Sequence, residues 1–311
     1  MSATYTPTYA PAAPATSART LRPSFIGLVR GELLKLSRQW SLYIMLVLLA
    51  GLICLPFLLF TQRSGYKVEL QNAPLQILYR GLGSGMLVLR VFSGVILAIL
   101  TARLIGMEYS GGTIRVTLAR GVGRLQFLYA KLAAMALVAL GMLIGGAALM
   151  LLVTGFTSLI TLGNFSAFNA ANADFWTDAW TYTSIVALSM GVTILMATAV
   201  TVIGRSLAFG VAVSAVFFAA DNIGTVFFLL AYLLTKNNFW TLATGDLLGP
   251  NINSMAGLFL PQRAASAVFI GAFPTPLVPV TGQHTLIITG VWTVIFVAVA
   301  LVLTWRRDVK E

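Results

Sequence analysis

Residues 108–131 read EYSGGTIRVTLARGVGRLQFLYAK, and this stretch lies between two segments that are too apolar to be anything except membrane spans. It keeps the apolar residues Ile114 and Leu118 one helical turn apart. This pattern predicts a short basic amphipathic helix at a membrane face, where it can contact a soluble partner. The cations of the stretch are Arg115, Arg120, Arg124 and Lys131.

Glycines bracket the predicted helix. Gly111 and Gly112 end the preceding span, and Thr113 is placed as an N-cap whose hydroxyl satisfies a free backbone amide. Gly121 then lets the backbone turn again, so the helix is predicted over residues 114–120. A rigid helix of two turns between two spans can transmit force from a partner into both. The alternative is an ordinary basic loop.

The composition places the chain in a membrane. Of its 311 residues, 58% are hydrophobic and only 9% are charged, whereas about a quarter are charged in a soluble domain. Several apolar runs of roughly 20 residues could each cross a hydrocarbon core of about 30 Å. The sequence therefore predicts an all-α polytopic membrane protein with six transmembrane helices. The predicted spans are residues 41–61, 86–106, 132–155, 182–203, 206–234 and 285–305.

The net charge of +11 reflects topology rather than nucleic-acid binding. The cations collect at the ends of the apolar segments, as the positive-inside rule expects. Most of the 20 Lys and Arg residues fall on the side that holds both termini and residues 108–131. We therefore expect a multi-pass plasma-membrane protein with both termini in the cytosol, with the lipid bilayer and no nucleic acid among its partners.

The first 40 residues divide into two parts. Residues 1–20 are rich in Ala, Pro and Thr and predict a disordered tail ahead of a membrane domain of residues 21–311. Residues 21–40 place most apolar side chains on one helical stripe and most charges elsewhere. This predicts a helix in the membrane interface that carries Glu32, Lys35 and Arg38. The alternative is a simple basic flank to the first span.

The fifth predicted span is unusual in length and in charge. Residues 206–234 would extend about 43 Å as one helix, so this span must tilt, break near Gly224 or project from the membrane. Asp221 lies deep within it, which costs about 2.5–3.5 kcal/mol on insertion scales. We expect Asp221 to face water or other helices, where its role is either to line a substrate or cation path or to act as a polar clamp. Its candidate partners are Asn222, Thr198 and Thr201.

The other polar residues near the spans predict no metal site. The chain has one histidine, His284, and one cysteine, Cys54, without clustered ligands. Arg90 and Arg103 lie near opposite ends of the second span, where we expect both to snorkel toward the headgroups. The external region, residues 235–284, contains the apolar stretches SMAGLFLP and ASAVFIGAF, which are too short to span and could form re-entrant helices.

The order of residues in 108–131 resembles the cytosolic signature of ATP-binding-cassette (ABC) transporter permeases of the type-2 exporter class. The residues that carry this resemblance are Glu108, Gly112, Thr113, Arg115, Leu118, Gly121, Arg124 and Lys131. The segment GELLKLSRQW, with Glu32, Lys35 and Arg38, also resembles the entry helix of that family. Six spans with a long last external loop match its layout.

The resemblance implies the permease subunit of an ATP-driven exporter that works by alternating access. Residues 113–120 would be a coupling helix, seated with its flanking residues in a groove of a separate ABC ATPase subunit, and a second permease copy is expected as a homodimer. The chain has no GxxxxGK[ST] phosphate-binding sequence, so the resemblance places ATP and Mg on the ATPase and predicts that the permease is not an enzyme. The expected docking residues are Glu108, Gly112, Thr113, Ile114, Arg115, Leu118, Arg120, Gly121 and Arg124.

Some alternatives stay open at this point. Glu108 and Arg115 could pair with each other or with charges of the partner. A channel or secondary transporter that works without an ATPase would need more charge inside the membrane or matched inverted repeats. A membrane-embedded enzyme would need paired carboxylates or metal ligands at span depth. The same fold could also serve a non-transporting sensor or an immunity protein.

Overall fold

The computed structural model describes residues 24–265 and 273–306. The predicted tail of residues 1–20 lies outside these ranges, as does most of the stretch ASAVFIGAF. The described residues contain no strand, and short 3-10 turns cover Ser166–Ala170 and Thr244–Asp246. The α-helices are α1 (Phe25–Ser37), α2 (Trp40–Thr61), α3 (Tyr66–Asn72), α4 (Pro74–Ser110), α5 (Thr113–Ala119), α6 (Arg124–Leu162), α7 (Ala173–Gly204), α8 (Leu207–Asn222), α9 (Gly224–Thr235), α10 (Phe239–Ala243), α11 (Leu248–Phe259), α12 (Gln262–Ala265) and α13 (Gly282–Arg306).

The predicted class of an all-α polytopic membrane protein is confirmed. Within the described residues, α2, α4, α6, α7 and α13 are each long and apolar enough to cross a membrane. A sixth span is formed if α8 and α9 are counted together, although they are bent by 61°. The bend lies at Ile223, next to the break that we predicted near Gly224.

Two of the predicted loops are largely helical. The residues between the first two spans form α3 and the first turns of α4, where Pro74 starts the helix at a position that needs no backbone donor. Tyr66 and Leu70 of α3 turn inward and are buried, which leaves the polar side chains of α3 outside. Likewise α6 continues to Leu162 and α7 begins at Ala173, so most of the stretch between the third and fourth predicted spans is helical.

Helices α4 and α7 form the centre of the bundle. Both are buried over most of their apolar length, whereas α2, α6 and α13 leave most of theirs uncovered. In α4, Leu89, Leu97 and Leu100 are fully buried. Since a span that faces lipid needs no protein cover, this arrangement fits two inner helices surrounded by outer ones.

Helix α8 starts against the end of α4 and runs back along it. The backbone amide of Leu207 donates to the Ser110 hydroxyl at 3.0 Å. A Cβ atom added at Gly106 would lie 2.7 Å from the Leu207 Cα, so only glycine permits this approach. Further along, Gly94 packs directly against the ring of Phe218.

Beyond the break, the chain folds back over the end of α8. Asn253 of α11 donates to the carbonyl of Asn222, the last residue of α8, at 3.1 Å. The loop before α11 is held to α13, because Trp292 donates to the Asp246 carbonyl at 3.0 Å and His284 Nε2 lies 2.9 Å from the Gly245 carbonyl. Helix α11 has 12 residues, about 18 Å, so it cannot span the bilayer.

We expect Gly106→Ala to lower the free energy of unfolding by about 1–3 kcal/mol, because the added methyl group meets the α8 backbone rather than a mobile side chain. Gly141→Ala in α6 is the matched control, since nothing lies within 4 Å of its Cβ position. The control should be neutral or stabilising by up to about 1 kcal/mol. Thermal unfolding in detergent measures both, and equal effects would contradict the close packing of α4 on α8.

Candidate functional site

Helix α5 lies between two left-handed glycines. Gly112 has φ 63° and Gly121 has φ 85°, and both values favour glycine because it lacks a Cβ atom. The helix runs from Thr113 to Ala119, one residue earlier than the predicted range of 114–120. The glycine pattern therefore sets both ends of this short helix.

Thr113 does not act as the N-cap that we predicted. Gly112 is the N-cap, and Thr113 is the first helical residue. Its hydroxyl instead donates to Glu108 Oε2, near the end of α4. The reason is the left-handed turn at Gly112, which brings the start of α5 back beside the Glu108 carboxylate. The bond joins α5 directly to α4.

The inner face of α5 packs on an apolar cluster formed by the residues around it. Ile114 is buried, at 6% exposure, against Val122 and Phe127. Leu28 of α1, Tyr109 of α4 and Leu118 of α5 pack around these three side chains. Leu118, which we predicted as a docking residue, therefore turns toward the bundle. A charged substitution there would disturb the packing as well as any docking.

The outer face of α5 is exposed and cationic. Arg115 and Arg120 are exposed, and the apolar side chain of Val116 between them is 52% exposed. The sequence prediction did not include Val116, although its position next to Arg115 on a two-turn helix could have pointed to it. Arg124, at the start of α6, donates to the Trp305 carbonyl at the end of α13 at 3.2 Å. Arg124 thus connects the start of α6 to the end of α13.

Four charged side chains meet beneath α5 and form what we call the charged cluster: Glu32 and Lys35 of α1, Glu108 of α4 and Lys131 of α6. The Lys131 Nζ atom lies 2.9 Å from Glu32 Oε2 and 3.3 Å from Glu108 Oε1. The Lys35 Nζ atom lies 3.0 Å from Glu32 Oε1 and 2.8 Å from Glu108 Oε1. Each lysine therefore contacts both glutamates, and the two positive and two negative charges balance.

Most of the charged cluster is buried. Lys131 is 1% exposed, and Glu32 and Glu108 are each 7% exposed. Lys131 also donates to the Leu104 carbonyl at 3.0 Å and lies 4.7 Å from the centre of the Phe127 ring. Removing one member of such a group leaves an uncompensated buried charge, which is strongly destabilising. The cluster thus ties α1, α4 and α6 together where α5 begins.

Lys35 is the member of the cluster closest to solvent, with a side chain 51% exposed. Partial burial alone would lower the pKa of Lys35. Its hydrogen bonds to Glu108 and Glu32, together with the negative charges of these two groups, raise the pKa by more than burial lowers it. The net effect raises the pKa above its usual value, so Lys35 stays charged at neutral pH. Arg38, the third predicted residue of this helix, is exposed at the end of α1.

The sequence did not reveal the partners of Glu108. We left open a pair with Arg115, but Arg115 is exposed on the opposite face of α5. Glu108 instead binds lysines from α1 and α6, which are 73 and 23 residues away along the chain. One signal was available. Glu32 and Lys35 are three residues apart and share a helical face with the buried Leu36, so part of α1 had to face protein.

Asp221 and Asn222 lie at the end of α8, and the three predicted partners of Asp221 donate to other groups. Thr198 and Thr201 donate to carbonyls of their own helix, each at 2.7 Å. Asp221 instead lies beside the backbone of Gly249 at the start of α11. Asn222 donates to the Phe218 carbonyl of its own helix at 2.8 Å.

Arg90 does not snorkel to a headgroup region. It is only 5% exposed, because α11 covers it, and its Nη2 atom donates to Asn253 Oδ1 at 2.6 Å. Arg103 donates to the Ser41 hydroxyl at the start of α2 at 2.8 Å. In the described part of the chain, no three His, Cys, Asp or Glu residues form a group that could hold a metal.

We expect Glu108→Gln to lower the free energy of unfolding by about 3–5 kcal/mol, because Lys131 stays buried with only one carboxylate beside it. Glu69→Gln is the control. Glu69 pairs with Arg80 at 2.8 Å, but these side chains are 35% and 28% exposed, so we expect a loss below about 1 kcal/mol. Chemical or thermal unfolding compares the two, and a loss at Glu108 no larger than at Glu69 would show that the cluster does not hold the helices together.

Residues 28–221 match the model of a family described as ABC-2 family transporter protein. The match begins in α1 and ends in α8, so it includes the charged cluster, α5 and the apolar cluster. No curated protein matches the chain. The family match covers more than half of the chain and confirms the resemblance to type-2 permeases. The chain therefore belongs to the ABC-2 family of transporter proteins, as a membrane-embedded permease.

Proposed function

We propose that this chain is the membrane subunit of an ATP-driven exporter and that α5 is the helix on which a separate ABC ATPase docks. The observation that carries the proposal is the two-sided character of α5. Its inner face and first residue are fixed to the bundle by the apolar cluster and by Glu108, whereas its outer face is exposed. A rigidly held helix with a free outer face suits the transmission of force.

The outer face of α5 also indicates the chemistry of its partner. It presents two guanidinium groups on either side of an exposed valine. A complementary groove has an apolar floor for Val116 and carboxylates at its rim for Arg115 and Arg120. Docking in such a groove would place this side of the bundle, with the start of α1 and the end of α13, in the cytosol.

Force on α5 has short routes into the spans. Thr113 and Glu108 connect it to the end of α4, and Lys131 carries the contact to the start of α6. Glu32 extends it to α1. Since these charges are buried and mutually satisfied, separating them is unfavourable, and a push on α5 would displace the ends of these helices together. ATP and Mg would act only on the ATPase, and the displaced spans would reorient for alternating access.

The docking proposal predicts that Arg115→Glu with Val116→Glu abolishes capture of the ATPase. The change places two negative charges on the docking face while the apolar cluster stays intact. The matched control is Lys67→Glu with Val68→Glu in α3, because this pair is also an adjacent cation and valine, both exposed. The measurement is co-purification of the tagged permease with an ABC ATPase from cells of its natural host.

The wild type and the control should capture the ATPase equally, and the α5 variant should lose at least nine-tenths of the capture. Thermal unfolding of the permease alone shows that the α5 variant is folded. Equal capture by both variants would refute docking through α5. If no ATPase co-purifies with the wild type, the proposal of an ATP-driven exporter is refuted.

We further propose that two copies of the permease assemble with two ATPase subunits. One chain supplies at most six spans within its described residues, and it leaves broad apolar faces on α2, α6 and α13. Co-expression of two differently tagged copies, followed by two successive affinity steps, should recover both tags with the ATPase. Recovery of a single tag at every detergent concentration would contradict the homodimer.

A further inference from the structure

Helix α1 has one face that packs on the bundle and one that does not. The packed face carries the buried residues Glu32 and Leu36, and α1 lies against α6 and α2. On the opposite side every fourth residue is exposed, so these side chains are neighbours along the helix. Arg38, the last of them, is the C-cap but still has helical backbone angles. We call these residues the outer stripe: Ile26, Arg30, Leu34 and Arg38.

The apolar members of the outer stripe are poorly covered by protein. Ile26 is 77% exposed and Leu34 is 50% exposed. The stripe thus alternates aliphatic side chains with guanidinium groups. This combination is typical of helices that lie in a membrane interface, where the aliphatic groups reach the acyl chains and the long cationic side chains extend to the headgroups.

The outer stripe is held at the level where α2 enters the bilayer. Only Arg38 and Gln39 separate α1 from α2, which is long and apolar enough to cross the membrane. The Tyr43 hydroxyl of α2 donates to the Ser37 carbonyl of α1 at 2.8 Å, which fixes the corner between the two helices. Trp40, at the start of α2, is 83% exposed. Tryptophan is enriched at the headgroup level, so the corner lies at that depth.

The charge of the outer stripe is not balanced by the protein. Among residues 24–265 and 273–306, no Asp or Glu oxygen lies within 4.0 Å of the guanidinium of Arg30 or Arg38. Lys35 differs, since it contacts Glu32 and Glu108. Two cations at the headgroup level therefore need a counter-charge from outside the protein. Anionic lipids supply such a charge at the cytoplasmic leaflet.

We infer that the outer stripe of α1 binds anionic phospholipid headgroups. Arg30 and Arg38 donate to the phosphate oxygens, while Ile26 and Leu34 reach the upper part of the acyl chains. A zwitterionic headgroup fits less well, because its own cationic group repels the arginines. Since Glu32 lies on the other face of α1, the lipid would hold the same helix that the charged cluster holds. This binding needs no ATPase, so it goes beyond the proposed function.

A fluorescent label can report which lipids border α1. Cys54→Ser with Ser37→Cys leaves one cysteine, at an exposed position beside the outer stripe, for a bimane label. The labelled permease, without ATPase, is placed in phosphatidylcholine nanodiscs. These contain an equal minor fraction of either phosphatidylglycerol or phosphatidylcholine that carries a quenching nitroxide near the headgroup.

Quenching should show phosphatidylglycerol enriched beside the label at least about threefold over phosphatidylcholine, since one cation near an anionic surface contributes about fivefold in binding. Added salt should reduce the enrichment, because the contact is at the surface of the protein.

The variant Arg30→Gln with Arg38→Gln should bring the enrichment close to one. Arg30→Lys with Arg38→Lys keeps both charges and should keep most of the enrichment. The matched control is Arg115→Gln with Arg120→Gln, which removes two exposed arginines from α5 and should leave the enrichment unchanged. All four positions are exposed, and thermal unfolding checks that each variant is folded.

Four results would overturn the assignment. Without quenching by either lipid, the outer stripe would not border the membrane. Equal quenching by both lipids, or an enrichment that persists in Arg30→Gln with Arg38→Gln, would show that the arginines do not select an anionic headgroup. Protection of the label from both lipids on addition of the ATPase would assign the outer stripe to that soluble partner. Capture of the ATPase through α5 is measured separately, so each of these results would leave the proposed function standing.

Discussion

The buried charged cluster is the interaction on which the α5 side of this molecule depends. Its two carboxylates and the Lys131 ammonium group can be buried only because they neutralise one another, and the half-exposed Lys35 balances the remaining charge. These four groups come from three helices. Moving one helix alone would leave a buried charge unpaired. The cluster therefore makes the ends of α4 and α6, together with α1, behave as one body. Through Thr113, α5 belongs to that body as well.

The bundle is built differently around the break between α8 and α9. There the chain interrupts a span instead of fastening several together, and the polar groups released at the break are satisfied by α11. Asn253 donates to the last carbonyl of α8, and Gly249 of α11 packs against the Asp221 backbone. A bilayer leaves no water to satisfy such groups, so the folded-back segment is needed for the break to exist. The permease thus combines a stiff end on the α5 side with an interrupted span that α11 stabilises.

Much of this could be predicted from residues 108–131 and from the apolar runs. Glycines and cations in a fixed order specify where α5 begins and ends, because their effects are local. The partners of Glu108 could not be predicted, since Lys35 and Lys131 reach it only after three helices have packed. Arg90 was misplaced for the same reason. From the sequence alone, a residue near the end of a span is predicted to snorkel, whereas in the folded protein α11, which is distant in the chain, covers Arg90.

If the permease docks on an ATPase through α5, as we propose, we expect α1 and α5 to move as one unit when the ATPase closes. Cys54 is the only cysteine, so Cys54→Ser gives a background for spin labels at the exposed positions Arg30 and Arg120. Double electron–electron resonance on the complex, before and after ATP binding, then measures two distances. We expect the distance between positions 30 and 120 within one copy to stay constant, while the distance between position 120 of one copy and position 120 of the other shortens. A change within one copy as large as the change between copies would contradict it.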